Sequence, residues 1–331
     1  MPSTSLQLLQ HLARSINVEV PTGLSALTQE QQQLLRFLDE RHAQICGMKP
    51  WWFLRRIGFL NLLPGATGAS GGGYNVTGPT VTAGSSCFVS GTSTNGKFRV
   101  GTAGEASSDD VYQVTYASGT TATVLGTVPY RATVTNKAWE YGQDEYVLPS
   151  DVKEVLWAVC NQNTVSTLRH VVLRPVSMNE LHDIRARRGT YITLDQPTVF
   201  CVPTHGAAAT HLRYIVVDPF PVANNSLIYG YIKVPVTLYG TASVYPDLPP
   251  DFEKLLIDMA VYDYYNTLGM GAPAGSPAGP DLPNRIAEVQ KDVVEATRRI
   301  LNKPRAQDAV SSFDPASVTR TIYREEFGRI L

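Results

Sequence analysis

Apolar positions near the N-terminus recur at helical spacing. Leu6, Leu9, Leu12, Ala13 and Ile16 follow the 3.6-residue period behind a Ser/Thr cluster suited to capping. Asn17 and Pro21 end that helix. A second helix is predicted to open at Thr28, where Thr28 and Gln31 have capping-box spacing: the hydroxyl accepts one orphan amide and the Gln side chain accepts another. Leu34, Leu35, Leu38, His42 and Ile45 give it one apolar face, with Arg36, Asp39, Glu40 and Arg41 on the rest. Gly47 and Pro50 stop it. The first 60 residues are therefore expected to be helical. Within them Trp51-Trp52-Phe53 forms an aromatic block too large to leave in water without a partner surface, and it is expected to sit in the core.

From about Pro64 to Gly142 the pattern changes. Gly, Ser, Thr and Val dominate, Leu nearly vanishes, and short alternating runs such as Val111-Tyr112-Gln113-Val114-Thr115-Tyr116 predict antiparallel strands. Tyr146-Val147-Leu148-Pro149-Ser150-Asp151 opens the next block. Strands are predicted at about 152–160 and 165–175, a short helical or irregular stretch from Met178 to Arg188, and strands near 212–217 and 227–238. Leu248-Pro249-Pro250 introduces a helix with Phe252, Leu255, Leu256, Met259 and Tyr262 as its core face. A Gly/Pro/Ala loop, 269–280, leads to another helix from about Leu282 to Leu301. Beyond Pro304 the periodicity is lost, yet Phe313, Ile322, Tyr323 and Phe327 remain, and so apolar a segment needs a surface.

The fold class this predicts is α+β: a helical hairpin and C-terminal helices packed with a small antiparallel β region, plus an inserted all-β module. The expected organisation is a core of residues 1–63 and 141–303, a β-rich module at 64–140, and an extended arm at 304–331.

Composition narrows the function classes. Of 331 residues, 17% are charged, against a usual share of about 25%. Apolar content is 43%, so the chain can bury a sizeable core. A formal net charge of −1 gives no sequence-independent grip on a phosphate backbone. Cys46, Cys87, Cys160 and Cys201 are widely spaced and form no CxxC pair, which predicts reduced, structural thiols. The N-terminus lacks a basic region followed by an apolar one, and no apolar run approaches a membrane span, so a soluble protein not exported by a standard route is expected.

Candidate chemistry is thin. Gly68-Ala69-Ser70-Gly71-Gly72 has the nucleophile-elbow pattern but sits in a glycine run rather than between a strand and a helix. Gly269-Met270-Gly271 follows a helix and lacks a βαβ setting. His170, His182, His205 and His211 have no ligand spacing, and Glu105, Asp109 and Asp110 read as an acidic loop tip. No catalytic residue, metal or cofactor is expected. Arg185, Arg187 and Arg188 form a basic run that reads as a solvated helix face, a subunit contact or a channel lining.

The order of these features resembles the head-to-tail adaptors (connector, tail accessory or tail tubular proteins) of short-tailed bacteriophages. The resemblance rests on four places, which together with their flanking elements span about three quarters of the chain. They are the opening helix pair with its Ile16-Asn17-Val18 break; the Trp51-Trp52-Phe53 block; Tyr146-Val147-Leu148-Pro149-Ser150-Asp151; and Tyr214-Ile215-Val216-Val217-Asp218-Pro219 followed by Leu248-Pro249-Pro250-Asp251-Phe252 and a helix. It implies a virion neck protein assembled in the host cytoplasm, a ring of about twelve copies closed by two complementary faces, docked on the portal and leading to a nozzle or tubular protein. Genomic DNA would pass through without specific binding. Portal docking is expected of the arm, through Phe313, Arg320, Ile322, Tyr323, Arg324 and Phe327, and the module is expected to meet a fibre or neighbouring tail protein. The alternatives are a tail-fibre or decoration protein, which the Gly/Thr-rich module suggests, and a virion-carried cell-wall hydrolase.

Overall fold

In a computed structural model of the protein, residues 2–48, 50–68, 74–77, 80–83, 88, 96–100, 111–125, 139–164, 167–188, 192–203, 213–271 and seven positions between 287 and 299 are described. Helices α1 (Ser5–Ser15) and α2 (Gln29–Gly47) come first. Then follow β1 (Arg55–Leu62), β2 (Ala66–Gly68), β3 (Tyr74–Thr77), β4 (Thr80–Ala83), β5 (Gly96–Val100), β6 (Val111–Ser118), β7 (Thr121–Val124) and β8 (Trp139–Gln143). Next are β9 (Glu145–Val147), β10 (Val152–Thr164), β11 (Thr167–Pro175) and α3 (Met178–Arg188). The remaining described elements are β12 (Leu194–Asp195), β13 (Val199–Cys201), β14 (Tyr214–Asp218), β15 (Phe220–Pro221), β16 (Asn225–Lys233) and α4 (Glu253–Gly271).

These elements form two units, Met1–Arg55 with Lys233–Leu331, and Arg56–Ile232. In the helical unit, α1 and α2 both begin on a complete capping box. The Thr4 hydroxyl accepts from the Gln7 amide at 3.3 Å and the Gln7 side chain accepts from the Thr4 amide at 2.8 Å; Thr28 and Gln31 repeat the arrangement. Four orphan amides are thereby satisfied. Leu8, Leu9 and Leu12 of α1, Leu34, Leu35 and Leu38 of α2, and Leu255 and Leu256 of α4 are buried where the three helices meet. Trp51 stacks on Phe53 with ring centroids 5.4 Å apart and meets Phe252 edge-on at 5.3 Å. Its indole N–H donates to the Ile45 carbonyl at 2.6 Å, which satisfies the polar atom that burial would otherwise strand.

The strand unit overturns the expected α+β class. Among the described residues it holds three sheets: β1-β16-β10-β11-β13-β14-β9, β2-β8-β5-β6-β7-β4-β3, and the pair β12-β15. One seven-stranded sheet curls into a nearly closed barrel and the other into a half-barrel, so the protein is mostly β with few helices. The β region is neither small nor purely antiparallel, since β11 and β13 run parallel. The physical reason is that each large sheet buries its own apolar face. Leu62, Ala158, Leu173, Phe200, Ile215, Leu227 and Tyr229 make one core, and Val81, Phe98, Val114, Trp139 and Tyr141 the other.

The expectation of a helical first 60 residues fails at its end. Trp52–Leu54 is a single 3-10 turn, and Arg55–Leu62 is an end strand whose Leu60 and Leu62 point to the core at period two. Gly58 is required there: a Cβ would stand 2.2 Å from the ring of Tyr229. The strand expected at 227–238 ends at Lys233, and 234–248 continues as an irregular strap into α4. Most of the helix expected at 282–301, and the whole arm 304–331, lie outside the described residues.

Tyr146 ties the two ends of the first sheet. It lies in β9, the last strand, and its hydroxyl accepts from the amide of Leu63, just past β1, at 3.1 Å while donating to the Gln143 carbonyl at 3.0 Å. Burial raises its pKa far above the ordinary tyrosine value. Tyr146→Phe is therefore expected to cost about 1–3 kcal/mol, the penalty for leaving the buried Gln143 carbonyl without its donor, read as a lowered urea midpoint with an unchanged slope.

Candidate functional site

Among the described residues, the densest concentration of buried charge lies where the chain passes from one large sheet to the other. β8 ends at Gln143 and β9 begins at Glu145, so Asp144 is the corner residue. Its carbonyl accepts from Val217 of β14 at 2.9 Å, which fixes the corner against that strand. Asp218 ends β14. Arg185 projects from α3, a helix entered through Ser177, whose hydroxyl accepts from the Glu180 amide.

Arg185 bridges the two carboxylates. Its Nη2 donates to Asp144 Oδ2 at 2.8 Å and its Nε to Asp218 Oδ1 at 2.9 Å. The three side chains are 4%, 1% and 1% exposed. Arg188, one turn on, donates to the other Asp218 oxygen. The Arg185 guanidinium also lies over the Phe220 ring, 5.4 Å from its centroid, with the ring's negative face toward the cation. Burial pushes the Asp144 carboxyl up from the usual carboxylate range, against the opposing pull of Arg185 and Lys97. Two further polar atoms of the cluster, Asp144 Oδ1 and Arg188 Nε, have no hydrogen-bond partner.

A carboxylate pair working as acid and base must reach a substrate. Here three of the four oxygens are held by guanidinium groups inside the fold. The arrangement compensates charge and locks three elements, which is positional work.

The basic run identified in the sequence is thus divided. Arg185 is buried and paired internally, so its charge is turned neither to a channel nor to a neighbour; Arg188 is half-buried on Asp218. Arg187 is exposed. Sequence reasoning missed Asp144 and Asp218, which lie 41 and 33 residues from Arg185. The one available signal was two arginines at i, i+3 on a short helix of weak amphipathic pattern.

Other predicted residues fall as follows. Trp51 and Phe53 are buried and Trp52 is half-buried against Phe53. Phe313, Arg320, Ile322, Tyr323, Arg324 and Phe327 lie outside the described residues, as do Ser70, Cys87, Glu105, Asp109, Asp110, His205 and His211. His182 is exposed on α3, and exposed His170 meets Asn161 across β10 and β11. Cys46, Cys160 and Cys201 are buried thiols, and burial pushes Cys160 up to about 11. Among the described residues no group of three or more His, Cys, Asp or Glu is arranged to hold a metal ion, and no helix is long and apolar enough to cross a membrane. Phe59 on β1 and Tyr245 on the strap are large side chains 67% and 62% exposed.

No protein-family model matches the chain, and no curated protein matches it.

Removing Arg185 leaves two buried carboxylates without their cation. Arg185→Met is expected to destabilise by about 3–5 kcal/mol, whereas exposed Arg187→Ala should stay within about 0.5 kcal/mol. Urea unfolding of both variants checks the contrast.

Proposed function

We propose that the chain is a head-to-tail adaptor of a short-tailed phage: a structural virion subunit that closes into a ring, joins the portal to the tail nozzle or tube, and continues the DNA channel. One observation carries the reading. The motifs that resemble the family, far apart in sequence, meet in pairs. Trp51 and Phe53 pack on Phe252 of the Leu248–Phe252 turn. The Tyr146–Asp151 entry pairs through β9 with Tyr214–Asp218, Tyr146 opposite Ile215 and Val147 opposite Tyr214. Such pairing supports the motifs as one inherited frame rather than chance matches.

The physical character of the frame suits a binding protein without turnover. The buried charges are spent on holding elements in place, and the aromatic cluster closes the helical unit. Near-neutral net charge is compatible with a ring through which DNA slides without a tight hold. Portal docking is assigned to the arm, 304–331, whose Phe313, Ile322, Tyr323 and Phe327 alternate with Arg320 and Arg324. These apolar side chains need a surface to cover them, and the portal would supply it. The β2–β8 sheet is assigned to contact with a fibre or neighbouring tail protein.

Deleting residues 305–331 is expected to abolish co-sedimentation with the purified portal while the urea midpoint of the remaining chain stays unchanged. Retained binding by the truncated chain overturns the docking arm. Absence of binding by the full chain overturns the adaptor reading itself.

A further inference from the structure

The strap, residues 234–248, carries the chain from β16 into α4, and side chains of the N-terminal helices tie down much of its backbone. Asp39 Oδ1 accepts from the Leu238 amide at 2.6 Å and His42 Nε2 accepts from the Asp247 amide at 3.3 Å. Ser5 exchanges two hydrogen bonds with Val244, its hydroxyl accepting at 3.1 Å and its amide donating at 2.7 Å. Leu238 and Leu248 are buried anchors, while Tyr239 and Tyr245 stay exposed. Asp39, His42 and Cys46 recur at helical spacing, so one stripe of α2 holds both ends of the strap.

We propose that His42 is an acid-sensitive latch: neutral, it holds the strap through the Asp247 amide, and protonated, it releases it. The geometry fixes the neutral tautomer. Because Nε2 accepts an amide N–H, its lone pair must be free and the ring proton must sit on Nδ1, a buried atom with no hydrogen-bond partner. Adding a proton to Nε2 turns the acceptor into a donor facing another donor, and places a cation in a side chain that is 0% exposed. The Cys46 sulfur, 3.7 Å from the same nitrogen, is a weak acceptor at best.

The charged groups around the ring act in opposed directions. From α2 Asp39, and from the strap Asp247, favour the cation; Lys233 at the strap's start opposes it. Both carboxylates are already engaged, Asp39 by the Leu238 amide and Asp247 by Lys233 and the Val236 amide. Burial is the largest influence and holds the imidazole below its ordinary value. The sign follows. The unfolded chain binds this proton more readily, so the latch contributes fully above about pH 6.5 and is lost as pH falls through the lower folded value.

Hydrogen exchange of the full chain at about pH 7.5 and about pH 5, corrected for intrinsic rates, tests the latch: peptides covering 236–247 should lose about tenfold protection at the lower pH while α4 keeps its own. In His42→Gln the side-chain oxygen accepts but does not titrate, and the pH dependence should disappear. Equal strap protection at both values, or the same acid loss in His42→Gln, overturns the proposal. Should that variant not fold, the imidazole nitrogen resonances of the wild-type chain decide. A His42 proton on Nδ1 at neutral pH that titrates together with strap opening supports the latch; a proton on Nε2 contradicts it.

Discussion

Arg185 is the point on which the strand unit turns. Two carboxylates reach it from separate elements, one at the corner where the chain crosses from sheet to sheet and one at the end of β14. Burying either acid alone would be strongly unfavourable, and burying the guanidinium alone equally so. The three are tolerable only together, so α3, β14 and the β8–β9 corner must take one relative arrangement. Further ties add to it: Tyr146 clasps Leu63, and the Gly65 amide donates to the Pro221 carbonyl at 2.7 Å. The chain therefore enters and leaves the β2–β8 sheet through a fixed gate.

The helical unit obeys a different logic. Its interior is mainly aliphatic and aromatic, its helix starts are satisfied by Thr–Gln boxes, and Ser5 and His42 are buried polar side chains bonded to the strap. Arg41 pairs with Asp263 between α2 and α4, and Tyr264 donates to Glu30 at 2.8 Å. The exposed Tyr264–Glu30 contact contributes little. The hold comes from leucines that the helical period places on facing stripes.

That difference explains what could be read from the sequence. Capping boxes and i, i+3, i+4 leucines are local signals, and the starts of α1 and α2 were legible from them. β1 was not, because Arg55-Arg56-Ile57-Gly58 carries no clean alternation and its value as a strand depends on Tyr229, 171 residues away across the sheet from Gly58. The extent of the sheets was hidden for the same reason: a large strand unit with cores of its own arises from pairings between distant segments. Arg185 looked like part of a solvated run because its partners are non-local. His42 was rightly placed on the apolar face of α2, yet its bond to Asp247 spans 205 residues and no local pattern announces it.

As proposed, this frame is one subunit of a ring seated on a portal. Electron microscopy of the full chain mixed with the purified portal tests it most directly. The expected image is a closed ring of about twelve copies, coaxial with the portal and leaving an open channel. A portal seen bare, with the chain remaining as separate monomers, would contradict it.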